Sequence, residues 1–251
     1  MTFLRSLAAE LLKLRRTIAF WIVLAAPLLV ILLALLMYYE RSGYYIRQGQ
    51  PLWQSIRKSA FVLWSILMLP LYITVQTALL AGLEHGENRW RNLLAMPVPR
   101  WSIYFSKLLI PCVMVFASSL ILNYGCLLDG LILRRIKPEL RFPDPVPWGS
   151  AWDNAALTAI AALLVIAIQH WVSLRFSSFA ASTGFGIAAT VTGAIVINSG
   201  KYGPWWPWCL PAQLLANRGD VFAHTLWYSA LGAVAVSLAG SIEFSRREIR
   251  G

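Results

Sequence analysis

The stretch that decides the fold is IAFWIVLAAPLLVILLALLMYY, residues 18–39. It runs for 22 residues without a charge. A helix needs about 18–20 such residues to cross the hydrocarbon core of a bilayer. The preceding LKLRRT resembles the basic start of a secretory signal. A signal's apolar region, however, is only about 7–15 residues and closes on small residues at a cleavage site. This stretch is longer and ends on Tyr38-Tyr39, so it reads as a retained first span.

Working outward, apolar runs of similar length recur at about 60–81, 102–128, 154–174, 180–198 and 223–241, with Pro70 and Pro111 inside the second and third. Hydrophobic residues make up 58% of the 251-residue chain and charged residues only 13%. A soluble domain carries about 25% charge. These runs do not alternate over about ten residues as barrel strands do. The expected fold is therefore all-α and polytopic, a single transmembrane domain over 1–251 with six spans. The net charge of +11 sits between the spans. Topology and anionic lipid headgroups account for it, so membrane lipids are expected partners and nucleic acid is not. Six spans put both termini on one side, and Lys13, Arg15, Arg16, Arg246, Arg247 and Arg250 beside the first and last spans point to the cytoplasm.

Two polar segments have helical character. In residues 2–16, Phe3, Leu4, Leu7, Leu11 and Leu14 recur at helical spacing, with Arg5, Glu10, Lys13, Arg15 and Arg16 largely off that stripe. This is the pattern of a helix lying in the membrane interface. Between spans two and three lies GLEHGENRWRNLLAMPVPRW, residues 82–101. Trp90, Leu93 and Leu94 fall on one face and Glu84, His85, Asn88 and Arg91 mostly on the other. Glu87 and Arg91 form an i,i+4 pair in the favourable order. Pro97 and Pro99 stop this helix and turn the chain back. On physics alone the segment is either an ordinary solvated helix or a helix presented to a cytoplasmic partner.

No motif of chemistry stands out. G-x-x-x-x-G-K-[ST], H-E-x-x-H and G-x-S-x-G do not occur in the sequence. His85-Gly86-Glu87 matches half of a zinc deaminase signature without its P-C-x-x-C partner. His85, His170 and His224 are far apart in sequence, although His85 and His170 fall at the same face. Cys126 and Cys209 fall near the opposite face, which leaves their pairing open. Asp129 and Asp153 are read as span-end residues, which argues against proton pumping and intramembrane hydrolysis. The polarity inside the spans is uncharged. Gln76, Asn123 and Thr190 are candidates for a mildly polar translocation path, with interhelical hydrogen bonding as the competing explanation. Ser182, Gly186, Thr190 and Ala194 repeat at steps of four. This small-residue stripe allows close approach, either to a partner subunit or within the chain.

ELLKLRRT at 10–17, the six spans, and Glu84, Asn88, Trp90, Leu93, Leu94, Ala95, Pro97, Val98, Arg100, Tyr104 and Lys107 together resemble the permeases of ABC-2 type transporters. The closest likeness is to lantibiotic-immunity and bacteriocin-type exporters. The resemblance covers the whole chain in layout and is specific over about the first 110 residues. It implies that 82–101 is a coupling helix docking on a cytoplasmic ATPase, with Glu84, Glu87, Arg89, Trp90 and Arg91 as contacts. Lys13, Arg15 and Arg16 become interfacial-helix positions beside it. ATP and magnesium would belong to that partner, and this chain would not itself be an enzyme. A second permease, identical or related, would complete a peptide or other amphipathic-cargo exporter in a bacterial cytoplasmic membrane. Drug or lipid cargo is the near alternative. A sensor subunit or intramembrane hydrolase is the reading from another class. GPWWPWCLPAQLL, residues 203–215, suits the family's partly re-entrant segment and suits an aromatic interfacial belt equally well.

Overall fold

The computed structural model describes residues 7, 10, 17–44, 51–85, 99–140, 142, 145–215 and 219–246. Among them the elements are α1 (Ile18–Glu40), α2 (Leu52–Leu63), a π-helical turn (Trp64–Met68), α3 (Leu69–His85), α4 (Arg100–Ile136), α5 (Gly149–Arg175), α6 (Phe179–Val196), α7 (Leu210–Gln213) and α8 (Gly219–Arg246), with 3₁₀ turns at Gly203–Trp205 and Pro207–Cys209. Six helices are long and apolar enough to cross a membrane. No strand occurs among the described residues.

The helices divide by burial. The α2–α3 rod, α4 and α5 are half or more buried along their most apolar windows, whereas α1, α6 and α8 are only 22–28% buried. The outer helices therefore bury one stripe and turn the rest outward. On α1 the stripe is Ala19, Val23, Pro27, Val30, Ala34 and Tyr38, at steps of three and four. Its exposed faces carry leucines, as a lipid-facing helix does. On α8 the stripe is small: Thr225, Ser229, Ala233, Ser237 and Ser241. Small side chains let α8 lie close to α5, where Ser229 Oγ donates to Ile160 O at 2.8 Å.

Proline shapes the rod formed by α2, the π turn and α3. Pro70 has no N–H, and its ring crowds the carbonyl four residues earlier. The backbone widens just before it into the π turn, where Leu69 N–H reaches Trp64 O. The turn seats Trp64 fully inside the bundle. Past Pro70, α3 meets α6 at Gly186, where a Cβ would overlap the Thr74 side chain.

Two boundaries differ most from the expectation. The second span starts at Leu52, not near 60, because Leu52, Trp53, Ile56 and Ala60 fall on one buried face. Its polar residues occupy the other face of the same helix. The third span runs on to Ile136, since nothing breaks it before Lys137-Pro138. At 37 residues it is about 55 Å long, well beyond a hydrocarbon core of about 30 Å.

After α6 the chain folds back along that helix. Trp206 Nε1 donates to Ala189 O at 3.0 Å, and the Cys209 thiol donates to Gly193 O at 3.3 Å. Gly203 makes the reversal fit, because a Cβ there would stand 2.9 Å from Ile197 O. Trp208, Cys209 and Leu210 are buried.

Replacing Gly186 by valine should destabilise the protein by about 1–3 kcal/mol through overpacking against Thr74. A lowered thermal midpoint in detergent is the expected result; an unchanged midpoint contradicts the α3–α6 seam.

Candidate functional site

Up-and-down connectivity gathers the start of α1, the end of α3, the start of α4, the end of α5, the start of α6 and the end of α8 at one end of the bundle, called here the terminal end. Residues 86–98 join α3 to α4 at this end. Pro99 caps α4, its carbonyl accepting from Ser102 N–H at 2.9 Å. The first two turns of α4 are then fastened to three other parts of the chain. Arg100 Nη1 donates to Ser245 O of α8 at 2.8 Å. Tyr104 lies edge-on to His170 of α5 at 5.0 Å and against Phe244 of α8 at 6.0 Å. Lys107 Nζ pairs with Glu10 Oε1 at 2.9 Å, with both side chains nearly buried. Leu7, one turn from Glu10, packs beside Val23, Ile110 and Met114. Glu243 of α8 ties in α5, accepting from Trp171 Nε1 at 2.7 Å and pairing with Arg175.

This arrangement follows from local chemistry. A lysine pulled into an apolar bundle needs an anion, and Glu10 supplies it. His170 is buried between Tyr104 and Lys107 and lines a small cleft with Glu10. The terminal end is thus a charged, hydrogen-bonded clasp that joins the start of α4 to α8, α5 and Glu10.

In the bundle's interior lies a seam of hydroxyls among α3, α5 and α6. Ser173 Oγ and Ser182 Oγ are 2.7 Å apart, and Ser173 reaches Thr77 Oγ1 at 3.3 Å. Gln169 Nε2 donates to Ser182 O at 2.9 Å. At the far end a cavity of about 190 Å³ lies between α2, α4, α5 and the segment before α8. Gln54, Arg57, Lys58, Asn123, Asn154 and Thr158 supply its polar lining.

Residues 6–193 match a family model described as ABC-2 family transporter protein. The chain belongs to the ABC-2 transporter family. As an ABC-2 chain it is an integral membrane protein, the permease of an ABC transporter rather than its catalytic subunit, and membership implies pairing with an ABC ATPase. No curated protein and no solved structure matches it.

The ABC-2 permease places its sequence-predicted residues unevenly. Lys13, Arg15 and Arg16, and the coupling positions Glu87, Arg89, Trp90 and Arg91, lie outside the described residues. Glu84 falls in the last turn of α3, and its side chain is likewise outside the description. The path candidates are buried but are not brought together. Gln76 donates to the Met114 sulfur across α3 and α4. Asn123 lines the far-end cavity. Thr190 bonds to Gly186 O within its own helix.

The small-residue stripe needs correction as a partner surface. Ser182, Gly186 and Thr190 are buried within this chain, the first two meeting α5 and α3. A residue already covered inside one chain cannot be the contact to another. Ala194 is exposed, on the side of α6 that also shows Ile187, Val191 and Ile195. Asp129 lies two turns before the end of α4 and is buried, and its Oδ2 has no partner. Cys126 and Cys209 are both free, which closes the pairing question. Burial pushes the Cys209 thiol up to about 11. No metal-binding group of three ligands occurs among the described residues.

Sequence reading missed the partners Glu10 and Glu243 and the cavity residue Arg57. For Arg57 a signal was present, because Gln54, Arg57, Lys58 and Phe61 are spaced three and four apart. The two glutamates had none, since each meets its partner only through the tertiary fold.

Removing one member of the clasp's nearly buried pair, as in Lys107→Met, should cost about 3–5 kcal/mol, because the stranded carboxylate loses its counter-charge. Restoring apolar balance with Glu10→Met should recover most of the loss in a double-mutant cycle of thermal midpoints. Purely additive losses in the double variant contradict a direct pair.

Proposed function

We propose that this ABC-2 permease is half of the membrane part of an ATP-driven exporter, moved by a separate ATPase that grips residues 82–101. The clasp at the terminal end carries this reading. A force on 86–98 acts on the end of α3 and the start of α4, and Arg100, Tyr104 and Lys107 hand it to α8, α5 and the segment bearing Glu10. In this reading Glu84, Glu87, Arg89, Trp90 and Arg91 make the ATPase contacts, and ATP and magnesium stay on the partner. Lys13, Arg15 and Arg16 hold the interfacial helix against anionic headgroups.

The terminal end then faces the cytoplasm of a bacterial cell, with both termini inside. A second copy or a related permease completes the path. The exposed apolar sides of α1 and α6 are available for that contact. Gln76, Asn123 and Thr190 line a path only after the helices rearrange. The cargo reading, a bacteriocin- or lantibiotic-like peptide removed from the membrane, rests on the likeness of 84–107 to exporters of that kind.

The test is the double variant Glu84→Ala/Trp90→Ala in the assembled transporter. The expected result is loss of transport-coupled ATP hydrolysis, or loss of the ATPase on purification, with the permease still folded. Full coupling and full assembly in the double variant sink the assignment.

A further inference from the structure

The far-end cavity has a composition that the transport reading does not use. Gln54, Arg57, Lys58 and Phe61 line one side of α2 and face Asn123 of α4 and Asn154 of α5. Among the described residues, two cations and no acidic side chain line the cavity. Arg57 donates through Nη1 to Ser150 Oγ, but its Nε is buried without any partner. A buried guanidinium nitrogen without an acceptor is costly, and an anion rich in oxygen is the group that repairs it. At about 190 Å³ the cavity is smaller than the 300–1,000 Å³ typical of drug-sized sites. It suits a headgroup rather than a whole cargo molecule.

Lys58 also borders a second feature. Between α1 and α2 runs an aliphatic groove of about 440 Å³, lined by Val30, Leu33 and Met37 on one side and Ala60, Val62 and Leu63 on the other. Leu33 and Val62 are exposed on its rim, so it opens toward lipid. Lys58 lines both the polar cavity and the apolar groove. It lies six residues past the start of α2, about 9 Å along the helix, toward the far end of the bundle.

A ligand that fills both features has an anionic head and an alkyl chain. We infer that this is a binding site for an anionic phospholipid, its phosphate against Arg57 and Lys58 and one acyl chain along the α1–α2 groove. The site is independent of the ATPase-coupling reading, since its residues lie at the opposite end of the bundle.

The full chain, purified in mild detergent, is titrated with phosphatidylglycerol and with phosphatidylcholine of identical chains, and binding is read by native mass spectrometry. Phosphatidylglycerol should bind about tenfold tighter, as two cations near a membrane surface predict. Lys58→Gln, at an exposed position that leaves the Arg57–Ser150 bond intact, should lose most of that preference. Val62→Trp, which fills the groove, should weaken both lipids alike. Equal binding of the two lipids, or an undiminished preference in Lys58→Gln, overturns the site. Glycerol phosphate, which has no chain, is the third ligand. If it binds as tightly as the phospholipid, the site takes a free anion and the lipid assignment fails.

Discussion

An apolar solvent forces the backbone polar groups of the spans to find partners inside the protein and penalises polar side chains that do not. That constraint explains more of this structure than any single contact. Hydroxyls turn back on their own helices: Thr74 Oγ1 donates to Pro70 O, Thr77 Oγ1 to Ile73 O and Thr190 Oγ1 to Gly186 O. Where helices come close, hydroxyls and amides link them instead, as Ser173, Ser182 and Gln169 do. The same rule restrains the reading of polar residues in spans. A buried threonine whose oxygen is already occupied is not by itself part of a path.

Charge obeys the rule more severely and collects at the two ends. At the terminal end it is paired, Lys107 with Glu10 and Arg175 with Glu243. At the far end no acid among the described residues lines the cavity that holds Arg57 and Lys58. The two ends therefore have different capacities. One joins its described charges in pairs; the other gathers two cations around a cavity. Asp129, seven residues from the end of α4, lies toward the far end too, a buried carboxyl with an unpartnered oxygen.

Much of the fold was legible in the sequence, because 22 uncharged residues from Ile18 to Tyr39 admit few alternatives to a span. The misread boundaries share one cause. QSIRKS and DGLILRRI looked like loops on polarity, yet each continues a helix whose buried face is apolar. Periodicity, not mean polarity, was the correct guide there. The stripe at Ser182, Gly186 and Thr190 was visible as a close-packing signal, but sequence cannot say which helix answers it. Thr74 and Ser173 do, from α3 and α5. The family was legible from Glu84 to Lys107, where charge, tryptophan and proline fall in a fixed order. The partners of Lys107 and Arg175 were not, because Glu10 and Glu243 lie 97 and 68 residues away.

The central claim is that a separate ATPase drives this chain through the segment joining α3 and α4. The direct measurement is purification of the transporter from its native membrane in mild detergent, with partner stoichiometry and ATP hydrolysis read on the same sample. It is then repeated with residues 86–98 replaced by a glycine-serine linker of equal length. The account predicts an ATP-hydrolysing subunit held in fixed ratio to the intact chain and lost with the linker, while the chain keeps its thermal midpoint. An intact chain that purifies without an ATPase, or a linker variant that retains it, contradicts the account.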